Sequence, residues 1–167
     1  TTLRRHVALK FPSEQVLADE VKKARFIQEA RASAALDHPN ICTLYEIDEA
    51  EGKTFISMAH INGQSLYEQI ESGPLSLDET VDISIQPAQG LYEAHENGIV
   101  HRDIKSGNIM VTNSGRIKIM DFGLAKLAGE TTETRLTQQG AIMGTVDYMS
   151  PEQAKGEPVD YRTDIWS

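Results

Sequence analysis

An α+β fold, β-rich first and helical later, is predicted for this chain of 167 residues. Three observations predict it: two β-prone runs split by Glu51-Gly52, a capped periodic stretch from Ser76 to Gly98, and a second run-turn-run pattern around Asn113-Ser114-Gly115. Residues 6–11 alternate, placing Val7, Leu9 and Phe11 on one face of a short strand and Ala8 with Lys10 on the other. Pro12-Ser13 then offers a helix start, with Ser13 as N-cap and Glu14 favourable in the first turn. From Glu14 to Leu36 the chain is rich in Ala, Glu, Lys and Gln. Val16, Leu17, Val21, Ala24, Ile27 and Ala34 recur there at helical spacing, so one long or two consecutive helices are expected. His38-Pro39-Asn40 ends them, because the residue before a proline is pushed out of helical backbone.

The runs 41–49 and 53–61 read as a hairpin about Glu51-Gly52. Asn62-Gly63 breaks the second run and marks the expected boundary between a β-rich and a helix-rich part. A short polar helix over 64–72 follows. Ser76-Leu77-Asp78-Glu79 is a capping box that opens a long helix, with Leu77, Val81, Ile85, Ala88, Leu91 and His95 along one face and Gly98 as C-cap. Pro87 in its interior removes a hydrogen bond and predicts a local kink. Runs 108–111 and 116–120 flank the turn 112–115 as a second hairpin, 124–144 reads as loop, and 151–167 resumes short helical pieces.

Composition narrows the function classes. Lys and Arg number 16 against 25 Asp and Glu, a formal charge of −9, which argues against a nucleic-acid or anionic-membrane surface because those partners need a basic face. Cys42 is the single cysteine, so no intrachain disulfide is expected. The apolar runs are too short to cross a bilayer, and a cytoplasmic location is expected.

The chemistry gathers around the second hairpin. Antiparallel pairing about its turn sets opposite positions that sum to about 229, which makes Asn108 and Asp121 neighbours. An amide oxygen beside a carboxylate is a hard-oxygen pair suited to Mg²⁺ that shares its other positions with phosphates and water. Just upstream, Asp103 is placed to accept a hydroxyl proton and Lys105 to steady a transferring phosphoryl group.

These residues carry a resemblance. His101-Arg102-Asp103-Ile104-Lys105 with Asn108, then Asp121-Phe122-Gly123, then Ser150-Pro151-Glu152 resemble the catalytic loop, metal-binding motif and substrate-loop closing motif of eukaryotic-type protein kinases, in order and spacing. Val7-Ala8-Leu9-Lys10 matches that family's phosphate-pairing lysine strand, and residues 142–154 are similar to its bacterial serine/threonine branch. The resemblance implies a bilobal fold, with residues 1–61 in a small lobe and 62–167 in a larger helical one. The lysine strand begins a few residues after Thr1 and the chain stops within the helix at Asp164, so a catalytic domain cut at both ends is expected, without its glycine-rich loop.

The resemblance further implies an ATP- and Mg²⁺-dependent transferase acting on Ser and Thr hydroxyls of proteins. Lys10 would pair with the α- and β-phosphates and with Glu29, Asp103 would take the hydroxyl proton, Asn108 and Asp121 would hold the metal, and Lys105 would contact the γ-phosphate. Ala8 would lie against the adenine, Met58 would gate the pocket behind it, and the Ala59 and Ile61 backbone would bind its edge. Arg102 is the cation expected to receive a phosphorylated loop residue, with Thr137 first, then Thr134, Thr131 and Thr132. Thr145 would hydrogen-bond near Asp103 and Lys105, and Asp164 would anchor the catalytic loop. Autophosphorylation would pass between two copies in a dimer, and the full-length protein would carry a membrane anchor in the manner of bacterial relatives. Two alternatives stay open, a nucleotide-binding module without turnover and a small-molecule phosphotransferase. The presence of Lys10, Asp103, Asn108 and Asp121 together stands against the first, and Arg102, Lys105 and the 144–152 segment against the second.

Overall fold

A computed structural model describes residues 5–122 and 146–167. Strands β1 (Val7–Lys10), β2 (Leu44–Ala50) and β3 (Lys53–Ala59) form an antiparallel sheet with β3 in the centre. The β2–β3 hairpin closes Ala50 on Lys53, and its two turn residues, Glu51 and Gly52, stand at φ 52° and 73°. A two-residue turn that follows the strand twist needs positive φ at both positions, and glycine supplies the second without strain. Alternation along β1 is as predicted. Its larger apolar residues Val7, Leu9 and Phe11 are nevertheless the exposed set, while Ala8 packs on the core.

Helical periodicity before His38 resolves into two helices, α1 (Glu14–Leu17) and α2 (Glu20–Ala34). The break falls at Asp19, whose carboxylate accepts from Val21 N at 2.9 Å and Lys22 N at 3.1 Å and so caps α2, whereas Ser13 makes no side-chain cap. Val16, Phe26 and Ala30 from these helices pack with Cys42, Ile56 and Met58 to make the first core cluster.

A second antiparallel sheet follows, built from β4 (Gly63–Ser65), β5 (Ile109–Thr112) and β6 (Ile117–Ile119) in that order. Strand β4 corrects the prediction of a helix over 64–72, since residues 64 and 65 are strand and the helix starts at Leu66. Gly63 lies opposite Thr112, so close that a Cβ on it would stand 2.0 Å from Val111 O. The first predicted strand of the β2–β3 hairpin also starts later than expected, because Ile41 and Cys42 join the second sheet. Ile119 N donates to Asn40 O and Cys42 N to Ile119 O, each at 2.8 Å.

Helices α3 (Leu66–Ser72) and α4 (Leu77–Glu96) each open on a complete capping box, Ser65 with Glu68 and Ser76 with Glu79. The α4 helix runs unbroken through Pro87, and its packed face matches the predicted one at Leu91 but not at Leu77, Val81 or Ile85. Pro87, Gly90, Leu91 and Ala94 are buried, whereas Leu77 is 78% exposed and Val81 and Ile85 are about half exposed. The reason is close approach: a Cβ on Gly90 would meet Ile119 Cδ1 at 3.2 Å and Asn40 Cβ at 3.4 Å, so the helix lies nearest β6 at a residue without a side chain, with Leu91 and Ala94 buried beside it. Gln86 fastens this face, accepting from Ile117 N at 2.9 Å and Asn40 Nδ2 at 3.1 Å. Short helices α5 (Pro151–Lys155) and α6 (Arg162–Trp166) complete the described chain. Thr131, Thr132, Thr134, Thr137, Thr145 and the whole of the predicted 124–144 loop lie outside the described residues.

The Gly63 contact gives a stability test. Gly63→Ala drives a methyl into backbone on β5 and is expected to cost about 1–3 kcal/mol, read as a lower urea midpoint with unchanged slope.

Candidate functional site

Residues 101–108 form a turn between α4 and β5 that ends in a 3-10 segment at Ser106–Asn108. His101 is fully buried, with its ring edge-on to Phe122 at 4.8 Å between centroids. Its Nε2 donates to Met120 O at 2.7 Å and its Nδ1 accepts from Asp103 N at 3.2 Å. One donor and one acceptor define a neutral imidazole. Burial is the leading cause that holds its pKa below the usual histidine value.

Asp164 reaches this turn from α6. Only 2% exposed, it accepts from His101 N and Arg102 N, each at 2.7 Å, and from His95 Nε2 at 2.8 Å. Arg102 is held between them at φ 68°, a left-handed conformation unusual for a side chain of its size. Asp103 follows with its carboxylate already engaged: Asn108 Nδ2 donates to its Oδ2 at 2.9 Å and to its backbone oxygen at 2.7 Å, and Lys105 Nζ stands 2.9 Å from the same Oδ2. The sequence-predicted trio of Asp103, Lys105 and Asn108 is thus a single cluster.

The register of the hairpin is offset by one from the predicted sum. Ile109 faces Ile119 and Val111 faces Ile117, because the loop contains only residues 113–115 and Thr112 N closes on Arg116 O at 2.8 Å. Asn108 therefore faces Met120, whose N–H donates to Asn108 O at 2.9 Å, and Asp121 is the next residue. Asp121 turns out of the strand at φ 61°.

Lys10 is opposite Ile56 on β1 and places Nζ 2.7 Å from Asp121 Oδ2. Glu29 on α2 stands 3.7 Å from Arg102 Nη1. The predicted Lys10–Glu29 pair is replaced here by these two, since each cation takes the carboxylate set nearest it by the turn at Asp121 and by the left-handed backbone of Arg102. Ala8 lies opposite Met58, and buried Met58 lines a small cavity with Cys42, Leu44, Asp121 and Phe122. Burial raises the Cys42 thiol to about 11, so it stays neutral, and it donates weakly to Ala59 O at 3.6 Å. Ala59 N is bound to Thr43 O at 2.9 Å, which leaves the Ala59 carbonyl as the group at this position with acceptor capacity to spare.

The donor set suits a hard cation. Both amide protons of Asn108 are spent on Asp103, so its amide oxygen is the end left for a metal, and Asp121 supplies a carboxylate one position beyond the facing residue. Among the described residues no group of three or more His, Cys, Asp or Glu is arranged to hold a metal. Two protein oxygens fit a Mg²⁺ that draws its remaining ligands from phosphate and water.

Sequence reasoning did not place Ser33. Buried on α2 one turn after Glu29, it donates to Phe122 O at 2.9 Å and ties the helix to the Asp121 turn. The i, i+4 spacing of Glu29 and Ser33 is the signal that could have found it.

Comparison with known proteins agrees with this geometry. Residues 2–167 match the model for the protein kinase domain. The chain belongs to the protein kinase domain family. A probable serine/threonine-protein kinase of Streptomyces coelicolor is 42% identical over 172 residues, covering all of this chain and 25% of that protein. The serine/threonine-protein kinase PknB of Mycobacterium leprae is 38% identical over 170 residues, covering 99% of this chain and 27% of that protein. The crystal structure of the Mycobacterium tuberculosis PknI kinase domain superposes with a TM-score of 0.68 at 29% identity, covering 95% of this chain and 58% of that one. The chain thus spans about a quarter of the curated relatives it matches. Among the described residues no helix is long and apolar enough to cross a membrane.

His101 makes the kinase domain's stability depend on pH. The folded state keeps it neutral while the unfolded chain titrates near about 6.5, so the unfolded state gains protons first and stability falls as pH drops below that value. A thermal midpoint that declines between pH 7.5 and 5.5, and a shallower decline in His101→Phe, are the expected results. An identical slope in both proteins contradicts this account.

Proposed function

We propose that this chain is the catalytic part of a protein serine/threonine kinase that transfers the γ-phosphate of ATP to Ser and Thr hydroxyls of proteins. The observation that carries the reading is the Asp103 cluster, a carboxylate oriented by Asn108 and set 2.9 Å from the ammonium of Lys105. A carboxylate so held accepts the proton of an incoming hydroxyl as its oxygen attacks phosphorus, and the neighbouring ammonium offsets charge that gathers on the transferring phosphoryl oxygens. Lys10 would hold the α- and β-phosphates, and Glu29 is its partner once Asp121 is drawn away. Ala8 and Met58 would contact the adenine, whose edge would meet the Ala59 carbonyl and the Ile61 backbone. Asn108 and Asp121 would hold Mg²⁺, which neutralises phosphate charge when bound.

In this reading residues 1–61 form the small lobe and 62–167 the large one, with the nucleotide between them. Arg102 would bind a phosphorylated Thr137 or Thr134, placed there by a second copy of the protein in a transient dimer. Thr145 would help select Ser and Thr hydroxyls. ATP dependence supports a cytoplasmic domain, and among the described residues no helix is long and apolar enough to cross a membrane.

The test is phosphate transfer from labelled ATP by the full-length protein to itself and to a generic protein substrate. Asp103→Asn is expected to lower kcat by about 10²–10⁴-fold while leaving nucleotide binding in place. Equal labelling by both proteins would sink the proposal.

A further inference from the structure

The peptide unit that joins Arg102 to Asp103 is held at both edges. On one edge Asp103 N donates to His101 Nδ1, and on the other the Arg102 carbonyl accepts from Gln153 Nε2 at 2.7 Å. Gln153 is remote in sequence and sits in α5, just after the Ser150-Pro151-Glu152 motif. Its other amide atom, Oε1, accepts from Ser150 N at 3.0 Å and completes the capping box of that helix. One side chain therefore does two separable things. The cap needs only an acceptor, and the bridge to Arg102 needs only a donor.

From this geometry we infer that Gln153 is a positioning residue for phosphoryl transfer, which fixes the plane of the Arg102–Asp103 peptide and so the direction in which Asp103 presents its carboxylate. The inference rests on the kinase reading above. Left-handed backbone at a residue such as Arg102 persists only where its surroundings over-determine it. Asp164 holds the N–H of Arg102 and Gln153 holds its carbonyl, so removal of either frees one end of the strained residue. Rotation of the freed peptide carries Asp103 with it, and a displacement of about 1 Å at a reacting group is enough to cost about a hundredfold in rate. A second bond, Ser106 Oγ to Tyr148 OH at 2.9 Å, joins the same two segments on the far side of Asp103. Together they make the segment 148–153 the frame against which Asp103 is aligned.

Two variants of the full-length protein separate the roles. Gln153→Glu keeps the acceptor for Ser150 N and loses the donor to Arg102 O. Gln153→Lys keeps a donor within reach of that carbonyl and loses the acceptor. The expected result is that Gln153→Glu lowers kcat on a peptide substrate about 10–100-fold, with KM for ATP within about twofold of wild type and an unchanged melting midpoint. Gln153→Lys is expected to melt lower and to keep kcat within about fivefold of wild type. Activity that follows the melting midpoint instead of the donor, or Gln153→Glu as active as wild type, overturns the positioning role and leaves the kinase reading intact. A wild type that transfers phosphate to no peptide overturns the kinase reading and this inference with it.

Discussion

The described structure depends most on one buried carboxylate. Asp164 gathers two backbone N–H groups and the His95 ring, and through them it holds the end of α4, the 101–108 turn and α6 in fixed relation. A carboxylate taken this far from water would be costly if it lacked donors, and here each bond is charge-assisted and short. His101 extends the arrangement, since its backbone meets Asp164 while its ring reaches Met120, one residue before Asp121. The carboxylate proposed to accept a proton and the one proposed to hold a metal are thus referred to the same buried anion.

Electrostatics at the site is local and does not follow the net charge. The chain carries −9 overall, yet Lys10, Arg102 and Lys105 all converge on the cleft where Asp103, Asp121 and Glu29 also lie. Each cation there already has an anion, so a phosphate-bearing ligand enters a site of balanced charges. Its binding redistributes partners, with little net cost of stripping an ammonium from water. The Lys10–Asp121 and Arg102–Glu29 pairs are the arrangement of this exchange in the structure described.

Most of the architecture was legible because it rests on local signals. Alternation gave β1, the Glu51-Gly52 dipeptide gave the first hairpin, and Ser76 with Glu79 gave the start of α4. What was missed depends on long-range packing. The buried face of α4 was read correctly at Leu91 but misread at Leu77, Val81 and Ile85, because hydrophobic counting favours them whereas close contact with β6 falls at Gly90, beside Leu91 and Ala94. Strand β4 was missed because three residues carry no periodicity. Within the site, motif order indicated Lys10, Asp103, Asn108 and Asp121, and the fold brings them to one cleft. Pairing was harder to read, since the partners of Lys10 and Glu29 depend on two residues in left-handed backbone, which sequence pattern does not encode. Ser33 and Gln153 act through backbone carbonyls, whose identity no sequence motif records.

Among the described residues, the contacts that join the two sheets restrict how the cleft can move. One junction is the three-residue link from Ala59 to Gly63, and another is the pairing of residues 40–42 with Ile119. Two junctions between near-rigid bodies define a line, and a line leaves one rotation free. The first sheet is therefore a door on two hinges, with Lys10 on its swinging side, and the bonds from Ser33 to Phe122 and from Lys10 to Asp121 act as its latch. Width of the proposed nucleotide cleft becomes a single coordinate, and any change that loosens the latch acts along it.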